Sequence, residues 1–420
     1  EIIENNDNIR IIAVGDDDQN IYEFRGSNSK FFKELLTADG AFYELSTNYR
    51  SKNNLVAFTN QFVKFIPDRI KNNPIVAYTV DNGKIEVVKH TSIDNLIVGV
   101  IEQLISDNLP GNTCVITWKN EQALHALGML NLKGITANLI QSNDRLKVFS
   151  LYEIRIFMSY FSNEIHDGMI TNDTWKNASI KFDSTFKETS NYKMCLRILR
   201  AFRYEYKTAF YYSDFESFIY ETNLSDYVEE SPIMVSTFHK TKGKEFDNVY
   251  ILDDNLRLSD EQKRAMYVGL TRAKNNLIIH TVSNIFNYFK ADDLKFTIDE
   301  LEYNKPERLI YQISHEDVAL GYFKLVQNTI KKLNSGDTLI IIDDVMVKDD
   351  RKVLKLSKKY SEQVRELLES GYVLTNAIVK YMVYWWDKEE EKEYLIVLPE
   401  LTFDLHKSVD ENLDDTNEAL

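Results

Sequence analysis

The stretch Ile9 to Ser27, IRIIAVGDDDQNIYEFRGS, decides how the rest of the chain is read. Ile9, Ile11, Ile12, Ala13 and Val14 form a short apolar run closed by Gly15, the pattern of a strand buried on both faces in a parallel sheet. In such sheets ligands sit beyond the strands' carboxyl ends. There the chain places Asp16, Asp17, Asp18 and Gln19, then Tyr22 and Phe24, then Arg25 and Gly26. An amide can donate to a phosphate while accepting from water, and aromatics beside a guanidinium suit stacked bases and a phosphate backbone. One loop can therefore face a nucleotide and a nucleic acid together. Taken singly, Tyr22 and Phe24 read better as core residues of a strand, acidic turn and amphipathic helix. A calcium loop is excluded, because its turn glycine would have to stand where Ile21 stands.

Three later stretches carry related chemistry. Leu45-Ser46-Thr47-Asn48-Tyr49-Arg50-Ser51 follows a brief apolar strand at Phe42–Leu45 and precedes an amphipathic helix over Asn54–Phe65. Tyr49 offers a face for a purine, and Arg50 a bidentate fork for a phosphate. Ile233 to Phe246, IMVSTFHKTKGKEF, reads as a strand ending at Ser236, then Thr237 and His239, a tight turn at Gly243, and Glu245 beside whatever that turn cradles. Hydroxyl, imidazole and amide groups at a strand tip hold phosphates without reading base identity. Arg264 to Lys274, RAMYVGLTRAK, reads as a helix on which Ala265, Val268 and Leu270 pack while Arg272 projects. Alone, Arg272 reads as a surface salt bridge; beside a nucleotide it is a cation of the arginine-finger kind.

In order and spacing these four stretches resemble the third to sixth motifs of the UvrD/Rep family of superfamily 1 DNA helicases. The resemblance implies an α/β, RecA-like (P-loop NTPase-like) parallel-sheet motor that couples ATP hydrolysis to movement on single-stranded DNA. It implies that Gln19, Arg50 and Arg272 sense or stabilise the terminal phosphate, that Tyr49 lies against the adenine, and that Glu245, carried by the Gly243 turn, approaches the ribose. Tyr22, Phe24, Arg25, Thr237 and His239 would touch the DNA. Lys244 stands where the family more often has an apolar residue.

The family's phosphate-cradling Gly-Lys-Thr loop and its Asp-Glu pair for magnesium do not occur in the chain. The nearest strings, Gly83-Lys84-Ile85 and Gly243-Lys244-Glu245, lack the Ser/Thr ligand and the upstream glycine. ATP and Mg2+ are therefore implied for an intact protein, with no metal ligand in this chain. The chain reads as a C-terminal portion that lacks its N-terminal motor lobe and is inactive as an ATPase alone. The alternative is a non-catalytic helicase-like module that binds DNA or a partner and is fused to another motor, such as a RecQ-type helicase. A C-terminal nuclease is not indicated, because no Asp followed by a Glu-x-Lys pair stands on adjoining strands after Ala291.

Between the motifs, Ile85–His90, Asn95–Ser106, Thr113–Trp118, Glu121–Leu130 and Gly134–Ile140 alternate strand and helix as a doubly wound sheet does. The expected organisation is the end of a first lobe at 1–40, a second lobe at 41–161 and 231–284, an inserted helical subdomain at 162–230, a C-terminal β-rich module at 291–407, and an acidic tail at 408–420. In the insert, Tyr204, Tyr206, Tyr211 and Tyr212 beside Arg200 and Arg203 suit either core packing or single-stranded nucleic acid. The last module, with one helix over Ser361–Ser370 stopped at Gly371, is similar in character to small Tudor-like β-barrels and offers a surface for a protein partner. Adjacent Trp385 and Trp386 must face opposite ways on a strand.

Composition limits the classes. The chain has 420 residues, 44% hydrophobic and 27% charged, with a net charge of −15, enough for two to four globular units. No apolar run approaches the roughly 18 residues that cross a bilayer, and Cys114 and Cys195 are too few for a disulfide framework or a zinc site, which fits a reducing cytoplasm. The acidic total does not exclude nucleic acid, because Lys240, Lys242, Lys244, Lys263, Arg264, Arg272 and Lys274 fall within two short stretches, a local basic groove on an acidic protein.

Overall fold

The computed structural model describes residues 12–22, 26–27, 29–34, 41–140, 146–161, 167–227 and 231–406, and the chain groups into two units, Glu1–Ala126 with Pro232–Asn304 and Leu127–Ser231 with Lys305–Leu420. The chain first forms α1 (Ser29–Glu34), β1 (Thr47–Asn48), α2 (Asn53–Phe62), β2 (Val76–Ala77), β3 (Lys84–His90), α3 (Leu96–Asp107), β4 (Thr113–Thr117) and α4 (Asn120–Leu132). Next come β5 (Ala137–Leu139), α5 (Tyr152–Ser159), β6 (Met169–Ile170), α6 (Asn172–Phe186), α7 (Tyr192–Glu205), β7 (Phe210–Tyr211) and α8 (Tyr212–Glu221). From Pro232 it builds β8 (Ile233–Thr237), β9 (Phe246–Asp253), α9 (Asp260–Leu270), β10 (Ala273–Thr281) and β11 (Leu294–Asp299). After Lys305 follow β12 (Arg308–Gln312), α10 (Phe323–Ile330), β13 (Ile340–Ile342), β14 (Val345–Lys348), β15 (Arg351–Lys355), α11 (Lys358–Glu369), β16 (Tyr372–Asp387) and β17 (Lys392–Leu405). No described helix is long and apolar enough to cross a membrane.

In the first unit, strands pair in parallel in the order β11-β3-β10-β9-β4-β8. β4, TCVIT, is buried at every residue, and β9 and β10 bury Val249–Leu252 and Leu277–Ile279, as a sheet covered on both faces requires. α3 packs on β9 through a side that includes Val100, Ile101 and Leu104. α2 buries Leu55, Phe58 and Phe62, and both phenylalanines stack on Phe286 with centroids 5.7 Å apart. Phe65, expected on the same stripe, falls in a 3-10 turn beyond α2 and is exposed.

The structure corrects three expectations in this unit. Ile12 and Val14 are 91% and 85% exposed and form no strand, while Ile9 and Ile11 lie outside the described residues. A parallel strand is buried by its neighbours, and among the described residues none pairs with this run. Phe42–Leu45 is likewise no strand; pairing starts at β1, which bonds β2 with Thr47 opposite Val76. Finally, the sheet expected to end before Ala291 does not, because β11 pairs with β3 from Leu294 opposite Ile85 to Asp299 opposite His90.

Where β3 and β10 run side by side, His90 Nε2 and His280 Nδ1 share a 2.8 Å hydrogen bond in full burial, with Asp299 Oδ2 3.3 Å from His90 Nδ1. Burial, opposed by Asp299 and reinforced by Lys89, depresses His90, and burial followed by its neighbour His90 takes His280 down to about 3. Both rings are neutral when folded and take up protons when unfolded below their ordinary value of 6.5. Their contribution to stability is thus complete above that value and is lost as pH falls toward 3. His280→Leu is expected to flatten the pH dependence of urea unfolding over this window, followed by Trp118 fluorescence; an unchanged slope would reject the account.

In the second unit the helices and the β-rich segment share one core. Phe157, Phe161, Phe182, Phe202 and Phe215 belong to the same cluster as Val379, Met382, Ile396 and Phe403. The helical and β-rich stretches, which read in sequence as separate modules, pack together because α5 touches both, Phe157 meeting Trp175, Phe182 and Phe215 while Tyr152 meets Tyr384 of β16. Inside this core Glu153 accepts from Ser335 Oγ at 2.8 Å and Asn191 Nδ2 at 3.3 Å, and Asn191 also donates to Lys380 O at 3.0 Å. Burial pushes the Glu153 carboxyl up, and both donors reach Oε1 while Oε2 is buried without a hydrogen-bond partner among the described residues.

The β-rich segment consists of two antiparallel three-stranded sheets, β12-β17-β16 and β13-β14-β15. They approach each other where Leu339 N donates to Ala377 O at 2.8 Å and Ala319 N to Lys355 O at 2.9 Å, short bridges rather than the continuous ladder of a closed barrel. α11 ends at Gly371, whose φ of +97° suits glycine. Trp385 packs against the core while Trp386 is 53% exposed, the opposite facing that adjacent strand residues impose. Tyr206 and Tyr212 pack against the core, and the Arg203 guanidinium lies 5.5 Å over both Trp175 and Phe210, so most of the insert's aromatic density is structural.

Candidate functional site

The site grows from the acidic loop of the first unit. Asp16 caps a single 3-10 turn, Asp17–Gln19, accepting from Asp18 N at 3.2 Å. Asp18, 1% exposed, takes Arg69 Nε at 2.7 Å, Arg69 Nη2 at 2.9 Å and Lys71 Nζ at 3.2 Å. Asp17 accepts from Ile70 N at 2.6 Å, and Asp16 takes Lys71 Nζ at 2.5 Å and Gln19 Nε2 at 2.7 Å. The three carboxylates are close enough together to hold a metal ion. With these partners they form a clamp that fixes the loop, Arg69 and Lys71 pairing with Asp18 and Asp16 while a backbone amide holds Asp17. Arg69 and Lys71 went unread in the sequence because they lie 51 and 55 residues from their partners.

The clamp aims Gln19 at Arg272, whose Nη2 donates to Gln19 Oε1 at 3.2 Å. Arg272 does not sit on the helix as expected. α9 ends at Leu270, and Arg272 stands just ahead of β10, 2% exposed, its Nε donating to Val268 O at 2.8 Å and its Nη1 to Lys244 O at 3.0 Å. Nη2 also reaches Thr271 Oγ1 at 3.0 Å, so these partners are all uncharged. Burial first, and the nearby Arg50 second, depress its pKa to about 10.

Arg50 enters from the other side. Asn48 Oδ1 accepts from Arg50 N at 2.8 Å and Ser51 N at 2.9 Å, which shapes the turn, and Ser51 Oγ ties it to Ala273 O at 2.7 Å. Arg50 Nε then donates to Glu245 Oε2 at 2.7 Å and Nη1 to Thr271 O at 3.3 Å. Lys274 Nζ takes the other oxygen of Glu245 at 2.8 Å. Lys274 first and Arg50 second hold the Glu245 carboxyl below the usual range. The Gln19–Arg272 pair and the Arg50–Glu245 pair therefore meet at Thr271, which accepts from both arginines.

The place is not the one expected. Glu245 and Arg272 immediately precede β9 and β10, with Phe246 N donating to Arg272 O at 3.0 Å, so the cluster sits at the amino ends of these strands. The turn through Gly243, at φ +83°, has carried the chain back from the carboxyl end of β8 to the start of β9.

The remaining site residues spread along that turn and beyond it. Tyr49, 76% exposed, lies against Tyr78 with centroids 4.8 Å apart, a neighbour the sequence did not reveal. Tyr22 OH donates to His239 O at 3.0 Å, and Lys242 Nζ donates to Gln19 O at 2.9 Å while lying 5.2 Å over the Tyr22 ring. Thr237, the last residue of β8, is 7% exposed, which leaves little of it for a DNA contact. Phe24 and Arg25 lie outside the described residues. Under the turn, Phe238 packs on Trp118 at 4.1 Å, and a Cβ on Gly269 would stand 2.5 Å from the Phe238 ring. This close approach sets how near α9 lies to the turn.

Residues 1–38 match the UvrD/REP helicase N-terminal domain and residues 169–284 match the UvrD-like helicase C-terminal domain. Gln19 lies in the first match and Glu245 and Arg272 in the second, so the Gln19–Arg272 hydrogen bond joins the two matched segments. No curated protein matches the chain. Among solved structures, the chain is similar to the C-terminal domain of a possible DNA helicase from Lactobacillus plantarum WCFS1, at 14% identity and a TM-score of 0.30 over 59% of this chain and 98% of that one. It is also similar to VirB4 of Thermoanaerobacter pseudethanolicus, at 10% identity and a TM-score of 0.20 over 67% of this chain and 91% of that one.

Proposed function

We propose that the chain is the C-terminal part of an ATP-dependent DNA helicase or translocase of the UvrD/Rep type. The observation that carries this reading is the meeting at Thr271 of two bonded pairs, Gln19–Arg272 and Arg50–Glu245, drawn from three distant parts of the sequence. In this reading Arg50 and Arg272 stabilise charge on the transferred phosphoryl group, and Gln19, whose amide has both a donor and an acceptor end, couples that charge to the loop bearing Tyr22. Tyr49 stacks on the base, and Glu245 approaches the ribose once its cations turn to phosphate. Mg2+, held by residues outside the chain, would supply charge neutralisation at the phosphates. Tyr22, Lys242 and His239 lie along one surface strip suited to a single strand.

The purified chain is expected to bind a fluorescein-labelled 20-nucleotide oligo-dT with an affinity that falls steeply with salt, and Tyr22→Ala to weaken it about fivefold, as loss of one stacking face does. It is expected to hydrolyse no ATP above background. Salt-insensitive or absent DNA binding would reject the DNA-strip assignment, and robust turnover by the chain alone would overturn the placing of the phosphate loop outside it.

A further inference from the structure

Three cations meet at this site, and two of them hold one carboxylate between them. Glu245 bridges Arg50 Nε at 2.7 Å and Lys274 Nζ at 2.8 Å, one oxygen to each. Arg272 completes the group, buried and bonded only to carbonyl, amide and hydroxyl oxygens. Asp16 and Glu245 both lie near Arg272 without bonding it, and both are already engaged, Asp16 by Lys71 and Glu245 by Arg50 and Lys274. Among Arg50, Lys274, Arg272 and Glu245 positive charge is in excess, with one guanidinium desolvated and without a direct counter-ion among the described residues. Such an arrangement is costly unless an anion with more than one charge arrives. Glu245 and Lys274 are partly exposed, with side-chain accessibilities of 45% and 32%, so the bridging carboxylate can swing away without opening the core.

We infer that Lys274 is a third phosphate-binding cation of the nucleotide site, and that Glu245 stands in for the phosphate by bridging Lys274 and Arg50 until nucleotide displaces it. Lys274 lies two residues past Arg272, at the start of β10, where the pairing to β9 is interrupted between Ala273 and Asn276 and its carbonyl accepts instead from Lys52 N at 2.9 Å. The inference rests on the nucleotide-site reading above. It adds a residue to the site and an exchange to its cycle: an incoming phosphate takes both cations, and the freed Glu245 carboxylate is then available to the sugar.

The test separates phosphate from sugar by titrating the chain with inorganic tripolyphosphate, which has no ribose or base, and with ATP, by calorimetry. Lys274→Gln is expected to weaken tripolyphosphate about fivefold, and Lys274→Arg to restore most of it. Glu245→Gln removes the competing charge and is expected to tighten tripolyphosphate about threefold while giving less or no gain for ATP. Thermal melts of each variant exclude unfolding, which the exposure of both side chains makes avoidable. Unchanged affinity in Lys274→Gln, or weaker tripolyphosphate binding in Glu245→Gln, overturns the inference. If Arg272→Gln abolishes binding while Lys274→Gln does not, the nucleotide-site reading stands and only the third cation falls. If neither the unaltered chain nor Glu245→Gln binds tripolyphosphate, both fall.

Discussion

Replacing Arg272 with alanine is expected to lower ATP turnover by about three powers of ten or more, measured on the chain joined to the lobe that supplies the phosphate loop. The guanidinium is already placed and desolvated by Val268 O, Lys244 O and Gln19 Oε1, so little reorganisation remains when charge develops on a phosphoryl group. A preorganised cation acts mainly in the transition state, so kcat should fall far more than the apparent affinity for ATP. Arg272→Lys is not expected to rescue, because a lysine's point charge cannot make the fan of contacts to Gln19, Thr271 and two carbonyls. The alanine variant also loses backbone contacts, so urea unfolding must accompany the kinetics. A folded variant with turnover within about threefold of the parent would remove Arg272 from the chemistry.

The second large effect is on stability. Gly83→Ala is expected to cost about 3 kcal/mol or more in urea unfolding. A Cβ at Gly83 would stand 1.8 Å from Asn275 O and 3.1 Å from Leu55 Cδ1, and the first of these is backbone that no rotamer change can move. Asn54, 1% exposed, grips Gly83 from both sides, donating to its carbonyl at 2.7 Å and accepting from its amide at 2.8 Å. The methyl must therefore push β3 from β10 near Asn275, three residues from Arg272. A variant within about 0.5 kcal/mol of the parent, inside the usual range for surface changes, would show that the approach is not as close as described. In sequence, Gly83-Lys84-Ile85 drew notice only as a string lacking the features of a phosphate loop; the structure gives Gly83 a different use.

Part of the sheet was legible because parallel strands buried on both faces leave continuous apolar runs. Thr113–Thr117 needed no partner to be recognised. Strands half-covered or at an edge were harder. β11, LKFTID, buries little, so its membership of the sheet appears only when β3 is beside it. α6 was hidden in a polar stretch, since its one apolar stripe of Trp175, Ala178, Phe182 and Phe186 is thin against the Asn, Lys and Asp around it. The exposed Ile12 and Val14 err in the other direction: an apolar run announces a strand, but burial depends on neighbours that the run does not name.

The residue types of the site, an amide in an acidic loop, a Tyr-Arg pair, a glycine turn carrying a carboxylate and an arginine before a strand, were determined by the sequence alone, because each is a local pattern with its own chemistry. Their meeting was decided by tertiary structure. Nothing local joins Gln19 to Arg272, 253 residues apart, or makes Glu245 bridge Arg50 and Lys274. Only the pairing of β9 with β10 and the clamp on the Asp16–Asp18 loop set those distances, and electrostatic interaction depends on distance, not on position in the chain.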